Sequence, residues 1–179
     1  MTKLQLGLAA TLVLLILGGC ATTGEGLIPG GQQLPRDAAG WSVQGKAALT
    51  DAEGTQTVSV HWLHPEVDRD QVRLAGPLGA GAIELFREGE RLYWLKDGIE
   101  QPLNSLPLGN DARRAALNLP MATISEWLLG YPQDVDSWSV SITEWQRVDA
   151  WTLPRKITAS RPDMSVKLVL LTWDLVTPP

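Results

Sequence analysis

The sequence offers few candidate residues at the spacing that acid–base, nucleophilic or metal chemistry requires. His61 and His64 are its only histidines, and residues three apart in a strand lie on opposite faces, so the two cannot share a metal ion. We interpret both as ordinary surface or edge histidines. The sequence contains no Gly-x-Ser-x-Gly elbow, no phosphate-binding glycine loop and no acidic cluster at ligand spacing. It therefore predicts no catalytic residue, no metal site and no cofactor.

Two carboxylates, Glu84 and Glu144, are each flanked by apolar residues. They could pair with arginines, but a solvated strand face explains them more simply. An enzyme with scattered active-site residues would escape this kind of search, so a lipid-active hydrolase stays open as a hypothesis. A buried serine, or a pair of carboxylates beside a pocket, would support it.

The single cysteine, Cys20, follows a segment that is typical of a secretion signal. Lys3 provides the positive start, residues 4–17 are almost continuously apolar, and Gly18 and Gly19 precede the cysteine. The run is shorter than the ~20 apolar residues of a membrane-spanning helix. We therefore predict a signal peptide over residues 1–19, cleaved before the cysteine.

Leu17-Gly18-Gly19-Cys20 resembles the lipobox of bacterial lipoproteins. The resemblance implies a diacylglyceryl thioether on the Cys20 sulfur and an acylated amino terminus, which leaves no free thiol for catalysis. Several acyl chains at ~0.8 kcal/mol per buried methylene make such an anchor effectively permanent. Sorting rules of these lipoproteins associate an aspartate after the cysteine with the inner membrane, so Ala21 implies the outer membrane.

The composition limits which functional classes remain open. The 179 residues carry a net charge of −5, and removal of Lys3 makes the mature form one charge more negative. No block of like charge is present, which argues against a nucleic-acid partner. Eight tryptophans accompany one phenylalanine, and tryptophan suits both cores and lipid-facing surfaces.

Beyond the signal, the chain divides into a tether and one domain. Residues 20–40 are rich in Gly, Pro, Thr and Gln without periodicity, and we predict a lipidated flexible tether there. Residues 41–179 are long enough for one core. Alternating apolar and polar residues predict strands over 41–50, 57–64, 72–75, 82–87, 91–96 and 99–102, and again over 137–146, 152–160 and 164–176.

Two local features complete this prediction. Residues 65–70 are predicted to form a polar loop. The last strand is apolar on both faces, with Val166 and Leu168 on one side and Leu171 and Trp173 on the other, so we expect both faces to be covered.

Helices are predicted only in the middle of the chain. Asn110 or Asp111 can cap a short helix that runs through Leu117. Thr123-Ile124-Ser125-Glu126 is a capping box, and Gly130 ends the helix that follows it. Ile124, Trp127 and Leu128 share one face of that helix, which would either pack in the core or form one wall of a pocket.

The turn between the third and fourth predicted strands carries an unusual residue at its tip. Gly76, Pro77, Gly79 and Gly81 supply fixed or permissive backbone angles around Leu78. A leucine on a protruding turn forgoes roughly 1.5–3 kcal/mol of burial energy. Three interpretations of Leu78 stay open: it is an ordinary surface leucine, it folds back onto the domain, or it touches lipid or an acyl chain.

Taken in order, several motifs resemble the LolB family of outer-membrane lipoprotein receptors. They are Trp41 with Gly45, Trp62, Gly76-Pro77-Leu78-Gly79, residues 95–98, Ser125-Glu126-Trp127-Leu128-Leu129-Gly130-Tyr131-Pro132, Leu153-Pro154 and Trp173. The resemblance implies a mainly β fold with two or three short helices. It would be an incomplete antiparallel β-barrel of the LolA/LolB type, with helices covering an apolar cavity.

The resemblance also implies a function. A member of this family accepts acylated lipoproteins from the periplasmic carrier LolA and inserts them into the inner leaflet of the outer membrane. The partners are then the lipoprotein acyl chains, the carrier and outer-membrane lipid, and we expect a monomer that is not an enzyme. In that family the protruding leucine serves membrane insertion, a role that falls here on Pro77, Leu78 and Gly79.

Inward-facing apolar residues are the candidates for the acyl-chain cavity, although each could equally belong to a filled core. They are Trp41, Val58, Val60, Trp62, Ile83, Leu85, Trp94, Trp127 and Trp138. The chain departs from the family in its short segment between Gly130 and Trp138 and in the little room between Cys20 and Trp41 for an N-terminal helix, which predicts a smaller barrel and a more open cavity. A completely filled interior would instead favour a structural outer-membrane lipoprotein that holds another envelope assembly.

Overall fold

The computed structural model describes residues 30–106 and 121–175, and within them nine strands form one antiparallel sheet. The strands are β1 (Trp41–Asp51), β2 (Gly54–Glu66), β3 (Arg69–Ala75), β4 (Ile83–Glu88), β5 (Arg91–Lys96), β6 (Ile99–Pro102), β7 (Ser139–Val148), β8 (Trp151–Arg161) and β9 (Met164–Leu175). Their order across the sheet is β6-β5-β4-β3-β2-β1-β9-β8-β7. The first strand, β1, pairs with the last strand, β9.

The sheet does not close on itself among the described residues. β6 and β7 are its two edges, and no ladder joins one to the other. The prediction of a mainly β fold with an unclosed antiparallel sheet is confirmed. The proposed helix from Asn110 or Asp111 to Leu117 lies outside the described residues.

Alternation along the strands places one set of apolar residues on a common face, called the inner face below. Strand register aligns these residues in rows across the sheet, one of which joins Val43, Trp62, Val72, Leu85 and Trp94. Cross-strand neighbours on one face contact each other and stabilise the pairing. The inner face therefore presents a continuous apolar surface.

One α-helix, α1 (Met121–Leu128), lies among the described residues. It begins before Thr123, so the proposed capping box is wrong: Thr123 lies inside the helix because Met121, two residues earlier, is already helical and buried. Gly130 ends the helical segment with φ of 97°, and its N–H donates to the carbonyl of Trp127. That left-handed conformation is one that glycine adopts without strain.

The polar loop predicted over residues 65–70 is shorter than expected. β2 runs to Glu66 and β3 begins at Arg69, so Asp70 is a strand residue and is buried. A buried aspartate is costly unless its charge is paired, and the arginine that pairs with it lies on β4. Local sequence does not reveal that pairing.

A β-bulge changes the outer side of β9. Gln44 lies opposite Thr172 while Gly45 lies opposite Leu170, which leaves Leu171 as an extra residue on β9. Leu171 is 51% exposed. The expectation that β9 is covered on both faces is therefore wrong at this residue.

We expect Gly45→Ala to destabilise the fold at this bulge. A Cβ atom at Gly45 would overlap the backbone carbonyl oxygen of Val169, which cannot move without distorting β9. Overpacking of this kind costs about 1–3 kcal/mol. Urea denaturation of the variant measures the loss. A midpoint equal to that of the unmodified protein would contradict the predicted close approach of β1 and β9.

The chain before β1 contacts the folded domain upstream of the expected domain start at Trp41. Leu34 lies in the core, and its carbonyl accepts a hydrogen bond from the Tyr131 hydroxyl at 2.7 Å. Arg36 pairs with Glu126 of α1 at 2.9 Å. Part of the segment that we expected to be a tether is thus packed beside α1.

No helix within residues 30–106 and 121–175 is both long and apolar enough to cross a membrane.

Candidate functional site: an apolar cavity and an exposed loop

A cavity of about 250 Å³ lies between the inner face of the sheet and α1. Apolar cavities of about 150 Å³ can stay dry and bind small hydrocarbons, so this cavity is large enough to hold a hydrocarbon group. Its lining is apolar apart from Gly45 and Gln56. The sheet contributes Val43, Gly45, Ala47, Leu49, Gln56, Val58, Val60, Trp62, Val72, Leu74, Leu85, Leu92, Ile157, Ala159, Val166, Leu168 and Leu170, and Leu103 with Met121, Ile124, Trp127 and Leu128 completes the wall.

Five of the residues proposed for the cavity lie in this wall. Val58, Val60 and Trp62 follow one another at alternate positions on β2, Leu85 is on β4 and Trp127 is on α1. The helix face that could have packed in the core or lined a pocket does both, since Ile124, Trp127 and Leu128 all border the cavity.

The other four proposed residues lie outside the lining. Trp94 and Ile83 are on the inner face but outside the lining, and the Trp94 indole N–H donates to Ser105 Oγ at 3.0 Å. Trp41 stacks on His64 with ring centroids 4.8 Å apart. Trp138 is buried beside β8, with the Arg161 guanidinium 5.2 Å from its ring centroid.

A buried polar cluster, here called the Asp70 cluster, adjoins the cavity. It consists of Asp70, Trp62, His64, Arg87 and Ser125, all of them buried. The Trp62 indole N–H donates to Asp70 Oδ1 at 2.7 Å, and Arg87 Nε donates to Oδ2. Nδ1 of His64 lies 2.7 Å from Oδ1 and carries the proton that the carboxylate accepts. The interpretation of His64 as a surface histidine is wrong, whereas His61 is exposed.

The surroundings of Asp70 keep its carboxylate ionised. Burial by itself raises the pKa, but hydrogen bonds from His64, Trp62 and Arg87 outweigh it and hold the pKa of Asp70 below its ordinary value of 3.8. A group with a lowered pKa in the folded state stabilises the fold above its unfolded pKa. That stability is lost as the pH falls through the folded pKa.

The Asp70 cluster contains a serine, a histidine and an aspartate beside a pocket, so the hydrolase hypothesis needs a direct test. In a charge-relay triad the histidine lies between the serine and the aspartate. Here Ser125 Oγ lies 3.3 Å from Asp70 Oδ1 and 3.1 Å from the Met121 carbonyl oxygen, so its one proton is shared between these two acceptors and it does not bond to His64. A carboxylate with a lowered pKa is a weak base, so this geometry does not activate the hydroxyl.

The two glutamates singled out in the sequence, Glu84 and Glu144, do not form such a site. Glu84 lies 3.5 Å from Arg73, and Glu144 pairs with Lys156, with all four side chains at the surface or partly exposed. The two explanations offered for these glutamates are compatible. Each glutamate pairs with a cation, and each pair lies on a solvated strand face. Among the residues that the structure describes, no group of three or more His, Cys, Asp or Glu side chains is placed to hold a metal ion.

The β3–β4 loop carries Leu78 fully exposed at its tip. Leu78 has φ of 56° and ψ of 22°, a left-handed conformation that costs a non-glycine residue about 1–2 kcal/mol. The turn is held locally, because Gly76 N–H donates to the Ala80 carbonyl at 2.9 Å and Gly79 N–H to the Gly76 carbonyl at 3.0 Å. The leucine does not fold back onto the sheet, and the turn holds it in solvent.

The loop and the cavity share one hairpin. Leu74 of β3 lines the cavity, and it pairs with Ile83 of β4 directly below the loop. An apolar side chain in solvent therefore lies within a few residues of the cavity wall. Cys20, the proposed lipid attachment site, lies outside the described residues.

The Asp70 cluster is the part of the site that the sequence did not indicate. One signal was available: Arg87 is in phase with Leu85 on β4, and His64 is in phase with Trp62 on β2. A charged residue at an inward position of an alternating strand calls for a partner on the same face. We predicted a surface or edge position for His64 and made no prediction for the Arg87 side chain.

Comparison with known proteins identifies the family. The model of the family described as outer membrane lipoprotein LolB matches residues 39–173. The outer-membrane lipoprotein LolB of Shewanella sp. (strain MR-4) is 27% identical over 188 residues, which cover 93% of this chain and 87% of the relative. That of Halorhodospira halophila is 27% identical over 195 residues, covering 93% of each chain.

Solved structures show a more distant likeness. A LolA superfamily protein from Nitrosomonas europaea superposes with a TM-score of 0.45 at 8% identity, over 82% of this chain and 90% of the other. A DUF1329 family protein from Desulfovibrio piger gives a TM-score of 0.46 at 8% identity, over 78% and 87%. The match of the family model over most of the domain decides the assignment: the chain belongs to the LolB family of outer-membrane lipoproteins.

Proposed function

We propose that this protein is an outer-membrane-anchored acceptor for acylated lipoproteins. It takes them from the periplasmic carrier LolA into the apolar cavity and inserts them into the inner leaflet of the outer membrane. The observation that carries the proposal is the cavity of about 250 Å³ between the sheet and α1. A structural scaffold, for which we expected a filled interior, is not favoured.

The energetics of an acyl chain explain why such an acceptor needs a cavity. A chain of ~14 methylenes at ~0.8 kcal/mol each is held by ~11 kcal/mol against escape into water. Release from a carrier into water would be extremely slow, so the acceptor must offer a second apolar site directly. Transfer then proceeds towards tighter binding, and the bilayer is the final and most favourable environment.

The other parts of the proposal follow from the sequence. Residues 1–19 are removed, Cys20 carries the lipid, residues 20–40 connect it to the domain, and residues 41–179 form the half-barrel. Pro77, Leu78 and Gly79 form the loop that enters the membrane. The protein acts as a monomer and is not an enzyme.

Binding of a dansyl-labelled fatty acid to the Cys20→Ser form, which lacks the lipid, tests the cavity. We expect saturable binding, detected by dansyl emission and reversed by palmitic acid, because the site lies in the folded domain. Absence of binding by this soluble form would contradict the cavity as the acyl site.

We expect Val60→Glu to weaken this binding by more than about tenfold. Val60 lines the cavity, and an unpaired carboxylate in apolar surroundings costs several kcal/mol or draws water into the site. His61→Glu is the matched control, since His61 is the next residue on β2 and is exposed on the other face. Equal affinities of the two variants would show that the acyl chain binds elsewhere.

A further inference from the structure

The Asp70 cluster touches two walls of the cavity at once. Trp62 belongs to the sheet wall, and its indole N–H donates to Asp70 Oδ1 at 2.7 Å. Ser125 belongs to α1, and its hydroxyl donates to the same oxygen at 3.3 Å. A single carboxylate oxygen therefore connects the helix wall and the sheet wall.

The helix wall depends on this connection for its position. Ile124, Trp127 and Leu128 line the cavity from α1, and Ser125 lies between them in the sequence. Apolar packing is non-directional, whereas a hydrogen bond to a buried carboxylate fixes a distance and a direction. The contact of Ser125 with Asp70 is thus a directional link between these side chains and Trp62, in addition to their apolar packing.

Asp70 is itself held firmly. Arg87 Nε donates to its second oxygen, and the Arg87 guanidinium also donates to the Val67 carbonyl at 3.0 Å. Nδ1 of His64 approaches Oδ1 at 2.7 Å, and the His64 ring is stacked on Trp41. The carboxylate is therefore a fixed reference point, while the bond from Ser125 is the longest one it accepts.

The connection to α1 can be removed without leaving a buried group unpaired. The Ser125 hydroxyl has a second acceptor in the Met121 carbonyl at 3.1 Å, and Asp70 keeps hydrogen bonds from Trp62, His64 and Arg87. Loss of one partner is most costly when it orphans a buried donor or acceptor, which does not happen here. This bond accordingly contributes more to the position of α1 than to the stability of the fold.

We propose that Asp70 and Ser125 are positioning residues for acyl binding, which hold the helix wall and the sheet wall at the spacing that a hydrocarbon chain requires. The proposal rests on the function proposed above. With the bond in place the walls are ordered before the chain arrives, so binding does not include the cost of ordering them.

The experiment compares Ser125→Ala with Ser125→Thr in the Cys20→Ser form, using the dansyl-labelled fatty acid and urea denaturation. Ser125→Ala removes the hydroxyl and leaves no orphan, so we expect near-normal stability and an affinity about three- to tenfold lower. Ser125→Thr keeps the hydroxyl but adds a methyl group at a buried position, so we expect lower stability and an affinity close to that of the unmodified domain. Thr123→Ala, which removes a hydroxyl elsewhere on α1, should bind normally.

The two variants rank in opposite orders for stability and for affinity only if the hydroxyl positions the wall. An affinity that follows stability, with Ser125→Thr binding worse than Ser125→Ala, would overturn the proposal while leaving the cavity as the acyl site. No binding by the Cys20→Ser parent itself would overturn the proposed function, and this proposal with it.

Discussion

Leu78→Glu is expected to stop delivery of lipoproteins to membranes while leaving the fold and acyl binding unchanged. Leu78 is fully exposed and makes no core contact, so its replacement removes nothing from the interior. In a bilayer the leucine gains roughly 1.5–3 kcal/mol, and a glutamate gains none of it. Incubation of the loaded protein with vesicles, followed by measurement of lipoprotein in the vesicle fraction, reports delivery.

Two further variants separate the loop from general effects. Leu171→Glu changes another exposed leucine to the same charge on the outer side of β9, and we expect it to deliver normally. Leu78→Gly relieves the left-handed strain at this position, so it should unfold at a higher urea concentration and still deliver poorly. Normal delivery by Leu78→Glu would remove the loop from the mechanism.

Asp70→Ala is expected to destabilise the domain by about 3–5 kcal/mol, because it leaves a buried arginine without its partner charge. The Arg87 side chain is 10% exposed, and Trp62 and His64 would each lose an acceptor as well. Urea denaturation at neutral pH measures the loss. Glu84→Ala, which breaks an exposed ion pair with Arg73, should cost less than about 1 kcal/mol.

The contribution of Asp70 also has a predictable pH dependence. Its pKa is lowered in the folded protein, so its contribution is complete above the unfolded value of 3.8 and declines as the pH falls through the folded pKa. Asp70→Asn lacks this titration. The difference in unfolding free energy between the parent and Asp70→Asn should therefore shrink below pH 3.8. A difference that is constant down to acid pH would show that the carboxylate is not the stabilising species.

The strands and the inner face could be predicted because alternation is a local signal. Val58, Val60 and Trp62 follow each other at alternate positions, and the structure places all of them on the cavity wall. Alternation tells which face a residue occupies but not how far along the sheet it lies. Trp94 and Ile83 were therefore assigned to the correct face, yet neither lines the cavity, whereas Leu92 and Leu85 on the same two strands do.

Features that depend on contacts between distant strands could not be predicted in the same way. The bulge at Leu171 arises from the close approach of Gly45 on β1 to the backbone of β9, which no pattern within β9 reveals. Asp70 and Arg87 are seventeen residues apart and meet only through the register of β3 and β4. Strand phase places Arg87 and His64 on the inner face, but that they meet at Asp70, and through it contact α1, follows from the folded arrangement.

The hydrogen bonds that shape the Leu78 turn all run between residues 76 and 80. Its exposed leucine is therefore held in solvent by the backbone of the turn itself. Under the proposed function, the turn then needs no signal from the cavity, and the direction of transfer comes from tighter binding at each successive apolar site. For the same reason the turn is a self-contained module, and a hairpin of another β protein could carry it as a graft.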